Sequence, residues 1–166
     1  MEDLYVECLV PRKPRTTDMV IRGIAYGATA VFFLMTVWSF LFLILFGIML
    51  AVDLLLLPRL SLEYEYLYVS RTLQIDRIFS KQSRKKAVEY DLEKMEIFAE
   101  EGAWQLDEYK NLNTVTRDFT SGDAGRTRWI MIAHDGPKVD RAVLEPSEEL
   151  ISAIKGVYPR KTFTKS

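Results

Sequence analysis

Apolar residues follow one another almost without interruption from Met19 to Leu57. A helix that spans a bilayer needs about 20 such residues, because each residue rises about 1.5 Å and the hydrocarbon core is roughly 30 Å thick. One helix over the whole stretch would be about twice too long, and tilting does not absorb that excess. The pattern therefore predicts a transmembrane hairpin of two helices, residues 19–35 and 40–57, with a turn near residues 36–39.

Downstream of Pro58 the apolar positions recur every second residue, which is the period of β-strands. The first two strands lie in SLEYEYLYVS and RTLQIDRIFS, and the Ser70-Arg71 junction between them leaves room for a tight hairpin. Turn residues in SGDAGR and DGP separate later strands, and EEGAWQLDEYKN predicts a loop or one helical turn. The pattern predicts about seven antiparallel strands, the last five near residues 85–90, 94–99, 114–120, 128–134 and 138–145.

The two ends of the chain have helical spacing. PSEELISAIKGVY opens with proline and acidic residues that suit a first turn, and its apolar stripe is Leu150, Ile151, Ile154 and Val157. In MEDLYVECLV, residues 4, 5, 8 and 9 would share one helical face, which favours a short helix on the membrane surface. A frayed or strand-like terminus that happens to be apolar is the alternative for this segment, and the pattern does not decide between the two.

Basic residues flank the apolar hairpin, and its turn carries none. Arg12, Lys13 and Arg15 precede the hairpin, and Arg59 follows it. The positive-inside rule then predicts a multi-pass protein of the cell membrane with both termini in the cytoplasm. Trp38 at the turn suits the opposite interface, where indole rings are enriched. A buried hairpin in a soluble protein is disfavoured, because the remaining chain is too small to wrap two apolar helices.

Four residues inside the hairpin stand out. Arg22 and Asp53 are equally far from a turn centred between residues 37 and 38, which predicts an intramembrane charge pair. A structural role for that pair is favoured over an ion path, because two spans make a poor conduit. Gly23 and Gly27 are spaced four residues apart, so they predict close helix packing, either with the second span or between chains.

Composition narrows the chemistry. The chain has 166 residues, a formal net charge of −1 and one cysteine, so nucleic-acid binding and an intramolecular disulfide have no support. The single histidine, His134, has no partner set of the kind that holds a metal, and no nucleophile or phosphate-binding motif occurs. The sequence therefore predicts no enzyme, no cofactor and no small-molecule substrate.

The segments VECLVPRK, LEYEYLYVSRTLQIDRIFSKQSRKK, DLEKMEIFA and LEPSEELISAIKGVYPRK carry a family resemblance. With the apolar hairpin, they resemble small two-span membrane proteins of Gram-positive anaerobic bacteria, a group of unknown function with a bacterial pleckstrin-homology-like (PH-like) domain. The resemblance implies an α+β fold: a transmembrane helical hairpin, then a PH-like antiparallel β-barrel or sandwich capped by a C-terminal helix. It assigns no ligand or catalytic residue.

The predicted domain organisation follows from these patterns. Residues 1–17 form an interfacial segment with a basic linker, residues 18–58 form the hairpin, and residues 59–166 form the cytoplasmic PH-like domain. Within that domain, Lys81, Arg84, Lys85 and Lys86 make a basic loop that could contact anionic lipid or a partner. A solvated turn with mild attraction to the lipid is the favoured interpretation of this cluster.

Two functions remain open at this point. The first is a membrane-anchored interaction module, whose partners are the bilayer and a protein that binds a groove or a strand edge. The second is a small accessory subunit of a membrane transport or membrane-enzyme complex, in which the hairpin provides the specificity.

Overall fold

The computed structural model describes residues 5–81, 83–135 and 138–165, and its chain divides into two compact units. The sheet unit contains the chain before Lys13 together with residues 63–78 and the chain from Arg84. The helical unit contains residues 13–62 and 79–83. The chain is thus α+β, as predicted.

The first sheet of the sheet unit has four strands in the order β1-β2-β3-β4. They are β1 (Val6–Pro11), β2 (Leu62–Val69), β3 (Thr72–Phe79) and β4 (Ser83–Asp91). Ser70 and Arg71, between β2 and β3, have φ of 47° and 68°, and this left-handed backbone is that of the tight turns that join twisted strands. The predicted hairpin at Ser70-Arg71 is confirmed.

The second sheet is mixed and has five strands in the order β6-β8-β7-β5-β9. They are β5 (Met95–Glu100), β6 (Thr114–Asp118), β7 (Trp129–Asp135), β8 (Lys138–Leu144) and β9 (Thr162–Phe163). β5 pairs with β7 and β7 with β8 in antiparallel fashion, whereas β6–β8 and β5–β9 are parallel pairs. The seven predicted strands exist as β2 to β8, but they do not form a simple meander.

The departure from a meander involves the segment between β6 and β7. Phe119, Thr120 and Ser121 are buried there, although SGDAGR reads as a plain turn. β6 lies at the sheet edge and pairs in parallel with β8, so the segment after it must pass β8 before the chain enters β7. The structure shows two sheets, and the predicted closure into a barrel is not among its features.

The C-terminal helix α3 (Glu148–Val157) forms as predicted. The Ser147 side chain accepts a hydrogen bond from the Leu150 N–H at 3.2 Å, which satisfies one of the free donors of the first turn. Leu150 and Ile154 are fully buried, while Val157 stays exposed. The apolar stripe is therefore buried over the first two turns of α3. Elsewhere in the sheet unit, a short 3₁₀ helix at Trp104–Tyr109 occupies the segment predicted as a loop or one helical turn.

The N-terminal segment is a strand, and the predicted surface helix is wrong for residues 6–11. β1 pairs antiparallel with β2, with Pro11 opposite Glu63. Val6 and Val10 are buried while Leu9 is exposed, which is the alternation of a strand and not the stripe of a helix. Leu4 lies outside the described residues. The alternative of a strand-like terminus is confirmed, and residues 6–11 belong to the sheet unit.

The helical unit consists of α1 (Thr16–Met35), α2 (Leu41–Leu55) and a 3₁₀ turn at Leu57–Leu60. The helices contact each other through the Phe33 and Phe46 rings, whose centroids are 5.3 Å apart. Within the described chain, α1 alone has the length and composition of a membrane span, and α2 is a shorter apolar helix. Only 6% of the 18-residue apolar window within α1 is buried, whereas the core helix of a soluble protein is mostly buried.

Candidate functional site

A groove of about 400 Å³ lies beside the start of α3 in the sheet unit. Its walls come from the end of β5, the start of β7, the link from β8 to α3 and the first turn of α3. The lining residues are Glu100, Arg126, Thr127, Trp129, Glu145, Pro146, Glu148 and Ile151. Three carboxylates and one guanidinium face this space, so it suits a ligand with positive charge and an apolar part.

Glu145 is the most enclosed of these carboxylates, with 4% of its surface exposed. Its Oε2 atom accepts a hydrogen bond from the Ser121 N–H at 3.1 Å and lies 3.8 Å from Arg126 Nη1. Its Oε1 atom is buried and has no hydrogen-bond partner in the part of the chain that the structure describes. Such an acceptor is expensive to leave unpaired, so the groove wall retains unused capacity for a donor.

Tyr66 holds this wall in place. Its hydroxyl donates to the Phe119 carbonyl at 2.7 Å and accepts from the Glu145 N–H at 3.3 Å. Burial raises the pKa of Tyr66 far above its ordinary value, so the hydroxyl keeps its proton and remains a donor. The sequence pattern placed Tyr66 in a predicted strand and assigned it no role. The available signal was that a buried tyrosine needs a partner for its polar tip.

Trp129 forms the apolar side of the groove. Its ring stacks in a tilted contact on Phe98, with centroids 4.7 Å apart, and the residue is 3% exposed. Because β5 and β7 pair antiparallel with Glu100 opposite Trp129, a carboxylate and an indole meet at the same end of the sheet. Sequence reasoning missed this pairing, since it depends on strand register.

The predicted basic loop does not exist as a loop. Arg84, Lys85 and Lys86 lie in β4, an edge strand, and only Lys81 lies in the turn before it. Ion pairs already engage two of the four, because Arg84 contacts the buried Glu65 and Lys86 contacts Glu89. Charged side chains on an edge strand also oppose pairing with strands of other molecules.

Glu65 is part of a polar network of the first sheet that also contains the buried Asp76. Burial raises the pKa of Glu65 above its ordinary range, and a hydrogen bond with Glu7 raises it further. Arg84 pulls the other way, and its Nε also lies 3.8 Å from Asp76 Oδ2. The basic cluster is therefore built in part to satisfy buried carboxylates of its own sheet.

The structure does not bring Arg22 and Asp53 into direct contact. Arg22 donates to the Ser61 hydroxyl at 3.1 Å, and Asp53 Oδ2 accepts from the Thr29 hydroxyl at 2.6 Å. The prediction assumed that residues equally far from the turn meet. In the structure the residue opposite Arg22 is Ser61, eight positions beyond Asp53, so the assumed register is wrong.

Gly23 and Gly27 are not part of the contact between α1 and α2. A Cβ atom built on either glycine would meet nothing within 4 Å, and both residues are exposed. Their predicted use against the second helix is therefore not formed. Packing against another chain stays a prediction.

His134 lies at the exposed end of β7, where its Nε2 atom contacts Glu96 Oε1 of β5. Across residues 5–81, 83–135 and 138–165, no three His, Cys, Asp or Glu side chains converge as metal ligands would. The Asp135 side chain and residues 136–137 lie outside that description.

Comparison with known proteins bears on the whole chain. No curated protein and no solved structure matches it. A family model does match and covers residues 2–164, which includes both the sheet unit and the helical unit. The PH-like part of the resemblance found in the sequence is thereby confirmed: the chain belongs to the family described as Bacterial PH-like domain (DUF6106).

Proposed function

We propose that this chain is a membrane-anchored PH-like interaction module that binds a protein partner and has no catalytic activity of its own. The observation that carries the proposal is an exposed, apolar helical pair inserted between two neighbouring strands of the PH-like domain. Large apolar side chains cover both helices, among them Ile24, Phe33 and Leu54, which are each more than half exposed. Water does not favour such a surface, whereas lipid tails do.

The insertion point supports a cytoplasmic location for both termini. β1 and β2 flank the helical pair in sequence and are paired in register, with Pro11 opposite Glu63. A chain that leaves the sheet after β1 thus returns to it beside the same point. An even number of membrane crossings is the simplest path that satisfies this geometry, and the basic flanks then favour the cytoplasm.

The groove beside α3 is the proposed partner site. Its acidic lining next to Trp129 suits a protein segment that carries a basic side chain near an apolar one. Net attraction at long range is modest because the exposed carboxylates are screened by salt. Specificity would come from the enclosed part of the groove around Glu145.

A charge reversal at Glu148 tests this site. Glu148 lines the groove, and its neighbour Glu149 is also exposed but does not line it, so Glu148→Lys and Glu149→Lys form a matched pair. Both substitutions put a cation in the first turn of α3 and share the same penalty from the helix dipole. The experiment is affinity purification of the full chain in mild detergent, followed by identification of the bound proteins.

Proteins that bind the original chain and Glu149→Lys, and that Glu148→Lys loses, would support the groove as the partner site. If all three chains retain the same proteins, the groove is not the site. The second candidate function, an accessory subunit of a membrane complex, is favoured by Asp53, because its buried Oδ1 atom has no hydrogen-bond partner among the described residues. In that case exchanging the hairpin for an unrelated one would remove the bound proteins, while Glu148→Lys would not.

A further inference from the structure

Asp53 borders a cavity of about 370 Å³ between α1 and α2. The cavity lining is otherwise apolar or aromatic apart from Thr29 and Tyr26, and it includes Phe33, Phe46 and Leu50. Asp53 is 6% exposed, so its carboxylate is withdrawn from the surface of the helical unit. A buried carboxylate in such surroundings needs charge or hydrogen-bond compensation.

The compensation that Asp53 receives is incomplete. Its Oδ2 atom accepts from the Thr29 hydroxyl, whereas Oδ1 is buried and lacks a hydrogen-bond partner among the described residues. The Thr29 hydroxyl has one hydrogen, and it also lies 3.1 Å from the Ala25 carbonyl. From the described residues Asp53 therefore receives at most one hydrogen bond, and the donating hydrogen is shared with the Ala25 carbonyl.

The register of the hairpin puts this carboxylate deep in the proposed membrane. Thr29 is ten residues beyond Met19, where the apolar stretch begins, which corresponds to about 15 Å along α1. That is about half of the roughly 30 Å hydrocarbon thickness. Ionisable groups at such depth are costly and are retained where they pair with another group.

A second feature of α1 adjoins the cavity at Ala30. Gly23, Gly27 and Ala30 are exposed and spaced by four and three residues, so they form one stripe of small side chains. No atom lies within 4 Å of a Cβ built on Gly23 or Gly27, and Ala30 also lines the Asp53 cavity. Small residues at this spacing let another helix approach closely, and here they would bring it alongside the cavity.

We propose that this cavity is the docking site for a transmembrane helix of a partner protein that carries a lysine or arginine at mid-membrane depth. The inference rests on the proposed membrane anchoring. The cation would donate to Asp53 Oδ1, while its helix packs on Gly23, Gly27 and Ala30. The charge on Asp53 selects a cation over an apolar side chain.

A second copy of this chain does not meet that requirement. The only basic residue from Met19 to Leu57 is Arg22, and its guanidinium donates to Ser61. Arg22 lies seven residues before Thr29, which is about 10 Å along the helix. In a parallel pair of copies, Arg22 would therefore lie too far from the carboxylate.

A designed peptide can stand in for the partner helix and test this chemistry. The full chain, labelled at its C terminus, is reconstituted in lipid vesicles with an acceptor-labelled leucine–alanine transmembrane peptide that has one central lysine. The reference peptide has leucine at that position. Energy transfer should give about 3- to 30-fold tighter association for the lysine peptide, as expected for one interhelical hydrogen bond.

Two variants and one control complete the experiment. Asp53→Asn keeps the side-chain shape and should abolish the preference for lysine. Gly27→Leu should weaken association, whereas Gly47→Leu, at an equally open position on α2 that is not part of the stripe of small residues, should not. Equal binding of the two peptides, or a preference that survives Asp53→Asn, would overturn the proposal.

Self-association and anchoring are read separately. Two differently labelled copies of the chain test self-association. If energy transfer occurs between them and is lost in Asp53→Asn, the occupant of the cavity is a second copy and the assignment to a partner protein is overturned. Flotation with the vesicles reports anchoring. A chain that floats but shows no lysine preference refutes this site alone, whereas a chain that does not float refutes the membrane anchoring on which both proposals depend.

Discussion

Removal of the Tyr66 hydroxyl gives a sharp test of how the sheet unit is held together. Tyr66 lies in β2 of the first sheet, while Phe119 follows β6 and Glu145 follows β8, both in the second sheet. The hydroxyl bonds to the backbone of both residues. Tyr66→Phe keeps the ring in the core and removes only these two hydrogen bonds, so it isolates the polar link between the sheets.

The expected loss follows from the geometry. The 2.7 Å bond to Phe119 is strong, and its loss leaves a buried carbonyl unpaired, which costs about 1–3 kcal/mol. The 3.3 Å bond from the Glu145 N–H is longer, and its loss adds about 0.5 kcal/mol. Tyr66→Phe should therefore lower the free energy of unfolding by about 1.5–3.5 kcal/mol, or the melting temperature by about 6–14 °C.

The assay is urea unfolding of the full chain in mild detergent, followed by tryptophan fluorescence. Trp129 is buried in the sheet unit and reports its unfolding. Tyr64→Phe is the matched control, because Tyr64 is also buried in β2 and its hydroxyl makes no hydrogen bond to the described chain. That control should change stability by less than about 0.5 kcal/mol. Equal effects of the two substitutions would refute the link between the sheets.

Three further predictions use the same unfolding assay. Val10→Asp should destabilise the chain by about 3 kcal/mol or more, because Val10 is buried in β1, whereas Leu9→Asp should be nearly neutral. A larger loss of stability with Leu9→Asp than with Val10→Asp would contradict the strand and favour a surface helix. Ile154→Asp should unfold the sheet unit and Val157→Asp should not, since α3 buries only the former, and equal effects would contradict its packing. Because burial raises the pKa of Glu65, the folded state binds its proton more readily, so stability should fall as pH rises above the ordinary glutamate range. Glu65→Gln should lessen that fall, and an unchanged pH slope would contradict the assignment.

The sequence was sufficient wherever a local rule decides structure. The period-two alternation located β2 to β8, and the Ser-Glu-Glu start with an apolar stripe located α3. The break between the two apolar helices followed from bilayer thickness alone. These features depend on near neighbours in the chain, so no tertiary information was needed.

Predictions from the sequence were wrong where contacts between residues far apart in the chain determine the structure. Val6, Cys8 and Val10 alternate as a strand should, but a ten-residue segment before a proline also fits a helix, and only β2 as a partner settles the choice. The contact between Asp53 and Thr29 depends on how α1 and α2 are aligned across the turn. The assumption that residues equally far from the turn lie opposite each other gave the wrong alignment. The groove depends on strand register in the second sheet and on a crossover that local turn signals do not encode.

The basic cluster shows a related lesson about charge. A run of Lys and Arg residues suggests a loop for an anionic partner when the only information is local. In the structure, Arg84 has a buried carboxylate partner two strands away, at Glu65. Charge runs in small sheets therefore need strand pairing before they indicate a ligand.

Site-directed labelling in intact cells tests the central claim, a membrane hairpin inserted into a cytoplasmic domain. Trp38→Cys places a thiol at the exposed turn between α1 and α2, and a cysteine added after Ser166 marks the C terminus; both are made with Cys8→Ser. A membrane-impermeant thiol reagent should label the cysteine at position 38 in intact cells and the C-terminal cysteine only after lysis. Labelling of the C-terminal cysteine in intact cells, or protection of position 38 until lysis, would contradict the account.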